Sequence, residues 1–290
     1  MAGFVAGIQI LKGGSGSGGV TGVCKKARKA VFLRAEEENR RGVEPDLGDV
    51  IPFAKKNESR PENAERVKEL MEMLDSPEAR IRLRAVVATK DLSNEESEPI
   101  LCKVFDDGEK ELNNLYFATL ALGYKPNARS FDLLMTLLDS EVEQEIRANA
   151  LAALGYLNDP RAVPTLIRAV YEETHWTAKC AAVVSLGILK DPAAYDAVLH
   201  ALSMDSKGLD DMKISAVGAL GEIGDEKCLE HITAFAESDN FILRQILAES
   251  LANFTAPKAL ATLRILKQDP HPNVSKAAGY SLDHITKAQA

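Results

Sequence analysis

From about residue 60 to residue 287, apolar positions recur at the three- and four-residue spacing of amphipathic helices, in short stretches that come in pairs. AVPTLIRAV and AAYDAVLHAL are first members of such pairs. The second members, such as ANALAALGYLNDP, CAAVVSLGILKDP and ISAVGALGEIGDE, are richer in small residues. They align on a glycine, at Gly123, Gly155, Gly187 and Gly221, in steps of 32, 32 and 34 residues. The series continues to Ala252 and Asp283 in steps of 31 and back to Lys90 in a step of 33, which makes seven units. Self-similarity at this period predicts an all-α fold, an α-solenoid of about seven helical repeats in which each unit buries its apolar face against the next.

Four columns, counted from this marker residue, describe the unit. Five positions before it stand Ala85, Ala118, Ala150, Ala182, Ala216, Leu247 and Ala278, a run of small residues that lets helix axes approach closely. One before it stand Leu122, Leu154, Leu186, Leu220, Leu251 and Leu282, each worth about 1.5–3 kcal/mol when fully buried. Four after it, Asp159, Asp191 and Asp225 open the next unit, the first two followed by proline. An aspartate there can cap free N–H groups, and proline at the first helical position forfeits no hydrogen bond. Eight before the marker stand Arg82, Arg147, Lys179, Lys213 and Arg244. The acidic and basic columns share one period and are expected to pair as an inter-repeat ladder, with anion binding as the functional alternative for the cations.

Charge separates the N-terminus from the rest. The first 35 residues carry Lys12, Lys25, Lys26, Arg28, Lys29 and Arg34 with no acid, run through Gly-Ser-Gly-Ser-Gly-Gly, and end where Glu36-Glu37-Glu38 begins. A basic, acid-free leader of small residues has the composition of an organelle transit peptide. Residues 1–35 are therefore expected to be a plastid transit peptide or, failing that, a disordered leader, and the location to be the plastid (chloroplast) stroma or, without import, the cytoplasm. Residues 36–59, with Gly42, Pro45, Gly48 and Pro52 among charges, read as a linker, and residues 60–287 as the solenoid. The net charge of −8 is thus more negative still over the body, which argues against nucleic acid, whose backbone calls for clustered Lys and Arg. No run approaches the roughly 18–20 apolar residues of a membrane span.

Candidate chemistry is sparse. Cys24, Cys102, Cys180 and Cys228 form no CxxC pair, and the histidines at 175, 200, 231, 271 and 284 show no metal-ligand spacing. No metal and no catalytic residue is expected. Cys180 and Cys228 lie in helical patterns among apolar residues, where a thiol is usually an inert small hydrophobe. His175 and Trp176, the latter the single tryptophan, fall at a turn before a second helix, where either an interface anchor or loop packing fits. Seven before the marker, Leu83, Tyr116, Ala148, Cys180, Ile214, Gln245 and Lys276 vary in size as a core column would not. This column is the expected working surface. Tyr116, His175, Trp176, Cys180 and Ile214 are the candidate contacts for a partner or pigment, unless that face packs only on the array's own first helices.

The repeat wording resembles the HEAT-like repeats of the phycobilisome (bilin) lyase family over about 228 of the 290 residues. Within that family it is most similar to the phycobilisome-degradation branch. The carrying segments are HWTAKCAAVVSLGILKDPAAYDAVLHAL, SAVGALGEIGDEKCLEHITAFAESDNFILRQILAESLANF and LRILKQDPHPNVSKAAGYSL. The resemblance implies an α-solenoid that binds a phycobiliprotein or another tetrapyrrole-bearing photosynthetic protein. It implies no resident cofactor beyond a transient bilin or other tetrapyrrole. It also implies two alternatives: a bilin lyase or isomerase subunit, working with a second HEAT chain to attach a linear tetrapyrrole to a partner's cysteine, and a general scaffold unrelated to pigments. HEAT-repeat enzymes with a di-iron centre use His-Glu pairs in several repeats, and here no histidine is followed by glutamate.

Overall fold

A computed structural model describes residues 63–204 and 210–289; the leader, the linker and residues 205–209 lie outside the described residues. The described helices form seven successive pairs, and no strand occurs among them. The first helices are α1 (Asn63–Leu74), α3 (Asn94–Asp106), α5 (Ser130–Asp139), α7 (Val163–Glu172), α9 (Tyr195–Ser203), α11 (Leu229–Ile232) and α13 (Pro257–Leu266). The second helices are α2 (Ala79–Ala88), α4 (Leu112–Tyr124), α6 (Gln144–Leu157), α8 (Trp176–Leu189), α10 (Asp211–Ile223), α12 (Phe241–Ser250) and α14 (Pro272–Gln289). Packing joins only helices of the same or neighbouring units, so the fold is an α-solenoid.

The columns explain the packing. Every residue five before the marker is fully buried, and of the leucines one before it only Leu282, in the last unit, is partly exposed. The second helices α4, α6, α8 and α10 pack on one another along much of their length, while first helices touch their neighbours far less. The marker glycine makes this possible. A Cβ added to Gly155 would lie 2.8 Å from the Cα of Ser185, and one on Gly221 would lie 3.0 Å from the Cα of Ser250. Those serines, two before the marker of the next unit, turn the close approach into hydrogen bonds. Ser185 Oγ donates to the Leu151 carbonyl at 2.9 Å, Ser250 Oγ to Val217 at 3.2 Å and Ser281 Oγ to Ala248 at 2.8 Å.

Between units the chain turns on two adjacent residues. Three after the marker, Asn158, Lys190 and Gly224 take the left-handed conformation with φ of 54°, 55° and 76°, ending the second helix. The aspartate that follows caps the next helix as expected: Asp159, Asp191 and Asp225 accept from the backbone N–H of Arg161, Ala193 and Lys227. Each of these three units then enters through a 3-10 turn, Pro160–Ala162, Pro192–Ala194 or Glu226–Cys228.

The ladder forms with different acids from those expected. Arg82 Nε and Nη2 donate to the Glu109 carboxylate at 2.7 and 2.9 Å, Arg147 Nη2 to Glu173 at 2.6 Å, and Arg244 Nε and Nη2 to Asp269 at 2.7 and 3.0 Å. In each case an arginine on the second helix of one unit holds the acid that follows the first helix of the next. Its Nη1 turns back to carbonyls that precede its own helix: Ser76 and Pro77, Leu138, or Ser238 and Asp239. Lys179 is too short to bridge and donates to the carbonyls of Val170 and Tyr171. Lys213 lies on α10, shortly after residues 205–209, which are outside the described residues. Asp159, Asp191 and Asp225 take no part because their oxygens are engaged as caps, Asp159 also pairing with Arg161 at 2.6 Å.

Candidate functional site

Helical geometry places a free side of the second-helix layer, free only in that it faces away from the first helices; Leu120, Ala152, Val184, Ile214 and Glu222 on it are buried. At about 100° per residue, the buried columns five and one before the marker face the unit's own first helix, the marker faces the next unit, and the serine column faces the previous one. Positions ten, seven and three before the marker and one after it fill the remaining side. In the central units this side comprises Tyr116, Leu120 and Tyr124 on α4, Glu145, Ala148, Ala152 and Tyr156 on α6, and Val184 and Ile188 on α8. Asp211, Ile214 and Glu222 continue it on α10, and Gln245 and Glu249 on α12. Tyr124 and Tyr156 stack with ring centroids 4.6 Å apart, and Tyr116 meets Phe117 edge-on at 5.3 Å. Lys190 Nζ sits 2.8 Å from the Glu222 carboxylate across a unit boundary.

Of the five expected contact residues, three are half-buried and two are closed off. Tyr116 packs partly against the core on the free side. His175 immediately precedes α8 without a side-chain cap, its Nδ1 2.6 Å from Thr177 Oγ1 and its ring 6.2 Å from that of Trp176. Trp176 is also partly packed against the core, toward the next unit rather than the free side. Cys180 is fully buried, its Sγ 3.8 Å from Met212 Sδ, and Ile214 is 4 % exposed. Position seven before the marker leans toward the following second helix, so in the middle of the array a small or branched side chain there is sealed in the interface. Cys180 and Ile214 are packing residues in this structure, which corrects the expectation that the whole column lines an open surface.

The thiols follow from that burial. Desolvation pushes Cys180 and Cys228 up to about 12, and Cys102 upward as well, so none of the three is a thiolate near neutral pH. Among the ladder acids, burial by itself would raise Glu109. Hydrogen bonds from Arg82, Asn114 and the Glu111 N–H overcome it and hold the carboxyl down at about 2. Arg82, Arg147 and Arg244 are engaged across the boundary to the next unit, and Lys179 by carbonyls of its own unit.

Sequence reasoning missed the partners Glu109, Glu173 and Asp269. The signal was available: each lies 25–27 residues after its arginine, one unit on, just before a second helix. It also missed Lys125, which is fully buried two after the marker, a column otherwise filled by Leu92, Leu157, Leu189, Ile223, Phe254 and Ile285. Lys125 Nζ donates to the Leu92 carbonyl at 2.6 Å, and burial lowers its pKa. On the outer side, Asp196, His200, Glu230 and His231 line an open cleft of about 600 Å³ between α9 and α11. No described helix is long and apolar enough to cross a membrane.

Comparison with known proteins agrees with this geometry. A phycocyanin lyase complex, CpcE with CpcF from Nostoc sp. PCC7120, is similar at 16% identity with a TM-score of 0.50, covering 84% of this chain and 99% of that one. Human deoxyhypusine hydroxylase in complex with glycerol matches at 19% identity over 77% of this chain and 96% of that one, with a TM-score of 0.37. Among curated proteins none matches significantly. The sequence profile of HEAT repeats matches residues 131–210 and 206–283, more than half of the chain. With the paired helices and the repeat period, this makes the chain a member of the HEAT-repeat family.

Proposed function

We propose that this HEAT-repeat protein binds phycobiliproteins or other tetrapyrrole-bearing photosynthetic proteins through the free side of its second helices. In this reading it is a non-catalytic adaptor in their turnover or assembly, of the phycobilisome-degradation (NblB) type, working in a plastid stroma. The observation that carries the reading is the likeness of fold, over 84% of this chain, to a complex of phycocyanin lyase chains. The wording of the repeats points to the same family. The free side supports it physically, since Tyr116, Tyr124 and Tyr156 offer flat amphipathic rings along one edge of a rigid layer.

A second reading is a bilin lyase subunit, favoured because the similar structure is a complex of two different chains of a lyase. Among the described residues Cys102, Cys180 and Cys228 are buried protonated thiols, which fits a subunit that attaches a bilin to its partner's cysteine.

Residues 36–290 immobilised and exposed to a pigmented lysate should retain a fraction with a phycobiliprotein or bilin absorbance spectrum, identified by mass spectrometry. Tyr116→Ala and Tyr156→Ala should weaken retention while leaving helicity nearly unchanged. Transfer of bilin to an apo-subunit by this chain together with a second HEAT chain would move the assignment to the lyase. Retention of colourless proteins alone would remove pigment handling and leave a general scaffold.

A further inference from the structure

The outer side of the first helices carries a group of side chains that neither the packing nor the proposed function uses. Asp196, Leu199, His200 and Ser203 stand at i, i+3, i+4 and i+7 on α9 and share one face. With Leu202 they line the cleft from α9, and Glu230 and His231 line it from α11. The cleft lies where α11 lasts a single turn and continues as the 3-10 stretch Thr233–Glu237, a narrower helix than those of the other units. Tyr171, near the end of α7, stands beside it, its ring 48 % exposed and 4.8 Å from that of His200 at an interplanar angle of 30°.

Charge, floor and rim of this cleft converge on one kind of occupant. Asp196 and Glu230 are exposed, neither makes an ion pair or hydrogen bond among the described residues, and no Lys or Arg lines the cleft. Both acids also act on one point, the Tyr195 hydroxyl at the start of α9, which burial above all, and then nearby groups that include these two, push upward. The floor is apolar, with Leu202 buried and Leu199 half-buried, and the rim offers the ring faces of Tyr171 and His200. No three His, Cys, Asp or Glu among the described residues are placed to hold a metal ion, so the cleft lacks the donor geometry of a metal site. A guanidinium suits every part of it. Planar, charged and weakly hydrated, it pairs with carboxylates and stacks on rings, while its methylene stem lies along apolar surface. An ammonium group answers the charge alone. A volume of about 600 Å³ also takes side chains that flank the arginine, which points to a protein segment rather than a free amino acid.

We propose that the outer cleft between α9 and α11 docks an arginine of a partner protein, with its guanidinium between Asp196 and Glu230 and over the rings of Tyr171 and His200. An apolar side chain of the same segment rests on Leu199 and Leu202. This contact lies on the first-helix layer and stands independently of any pigment handling by the second helices. An array with a binding surface on each layer holds two proteins at once.

The test titrates the full chain at pH 8 with the peptide acetyl-Leu-Arg-Leu-amide and follows the imidazole resonances of its five histidines by NMR. The His200 and His231 signals should move and saturate with a dissociation constant on the order of 1 mM, as exposed ion pairs helped by ring stacking allow. The same peptide with citrulline, which keeps the shape and loses the charge, should bind at least about fivefold more weakly, and a lysine version about threefold more weakly. Asp196→Asn together with Glu230→Gln should weaken binding of the arginine peptide about tenfold with an unchanged melting temperature, since neither acid is engaged within the described chain. Shifts confined to His175, His271 and His284, citrulline or lysine peptides that bind as tightly as the arginine peptide, or binding indifferent to the double substitution would each overturn the proposal. So would binding that a chelator abolishes, which would assign the cleft to a metal ion. No pigmented protein takes part in the titration, so a failure here is distinct from a failure of the lysate experiment.

Discussion

Glycine plays opposite roles at two places in the same kind of helix. At Gly155 the missing side chain is what lets α6 meet α8: an added Cβ would sit 2.5 Å from Ser185 Oγ and 2.8 Å from its Cα, and a backbone atom cannot step aside. At Gly279, in α14, an added Cβ meets nothing within 4 Å, because no further unit follows α14 among the described residues. Gly155→Ala should therefore cost about 1–3 kcal/mol through overpacking, even after the helix-propensity gain of up to about 1 kcal/mol. Gly279→Ala should stabilise by roughly 0.5–1 kcal/mol, since only the propensity gain remains. Urea unfolding of the two variants beside the native chain measures both. Equal effects of the same sign would mean that the marker position does not set the helix spacing.

At the scale of the helix pair, the sequence made the caps and the buried columns legible because each depends on residues close along the chain. Asp159, Asp191 and Asp225 need only the N–H two residues on, and the alanine and leucine columns need only helical period. The ladder was less legible because a guanidinium chooses its partner in space. Arg82, Arg147 and Arg244 reach forward a whole unit to Glu109, Glu173 and Asp269, while the nearer aspartates are already engaged by backbone donors. The column seven before the marker is not one open surface: Tyr116 is half-buried against the core, and Cys180 and Ile214 are sealed by the closeness of α8 and α10, which a helical wheel cannot show.

The ladder has a pH signature. Glu109, 8 % exposed at its side chain, titrates at about 2 in the folded chain against 4.5 ordinarily. A depressed carboxyl contributes stability that is fully present above about pH 4.5 and is lost as pH falls toward 2; at full effect the contribution is on the order of 3 kcal/mol. Asp269 is lowered in the same sense, chiefly by Arg244. Replacing Arg82 with Gln should lower the urea midpoint at pH 7 and flatten its decline between pH 5 and pH 2.5. A variant that kept the native acid dependence would assign that dependence to other carboxylates.

Over the whole molecule, each unit touches only its neighbours, so stability is a chain of interfaces and not a single core. Those interfaces are unequal. The packing of α4 on α6, α6 on α8 and α8 on α10 is the most extensive, with the glycine-to-Ala153 and glycine-to-Ser185 approaches at the first two. Contact is thinner between α2 and α4, where the marker is Lys90 and the buried apolar column is broken by Lys125. It is thinner also from α10 through α12 to α14, where α11 lasts one turn before giving way to the 3-10 stretch Thr233–Glu237. The gradient predicts that native-state hydrogen exchange is slowest in α6 and α8, whose amides should open only with global unfolding. Amides of α1, α2 and α14 should exchange through local opening of their end units, at free energies well below the global value. Reversing the buried charge by Lys125→Glu, which also removes the donor to the Leu92 carbonyl, should widen the difference at the α1–α2 end and leave α12–α14 unchanged, because the two ends share no contact. Uniform protection across all seven units, or loss at both ends from that one substitution, would show the array to unfold as one cooperative block.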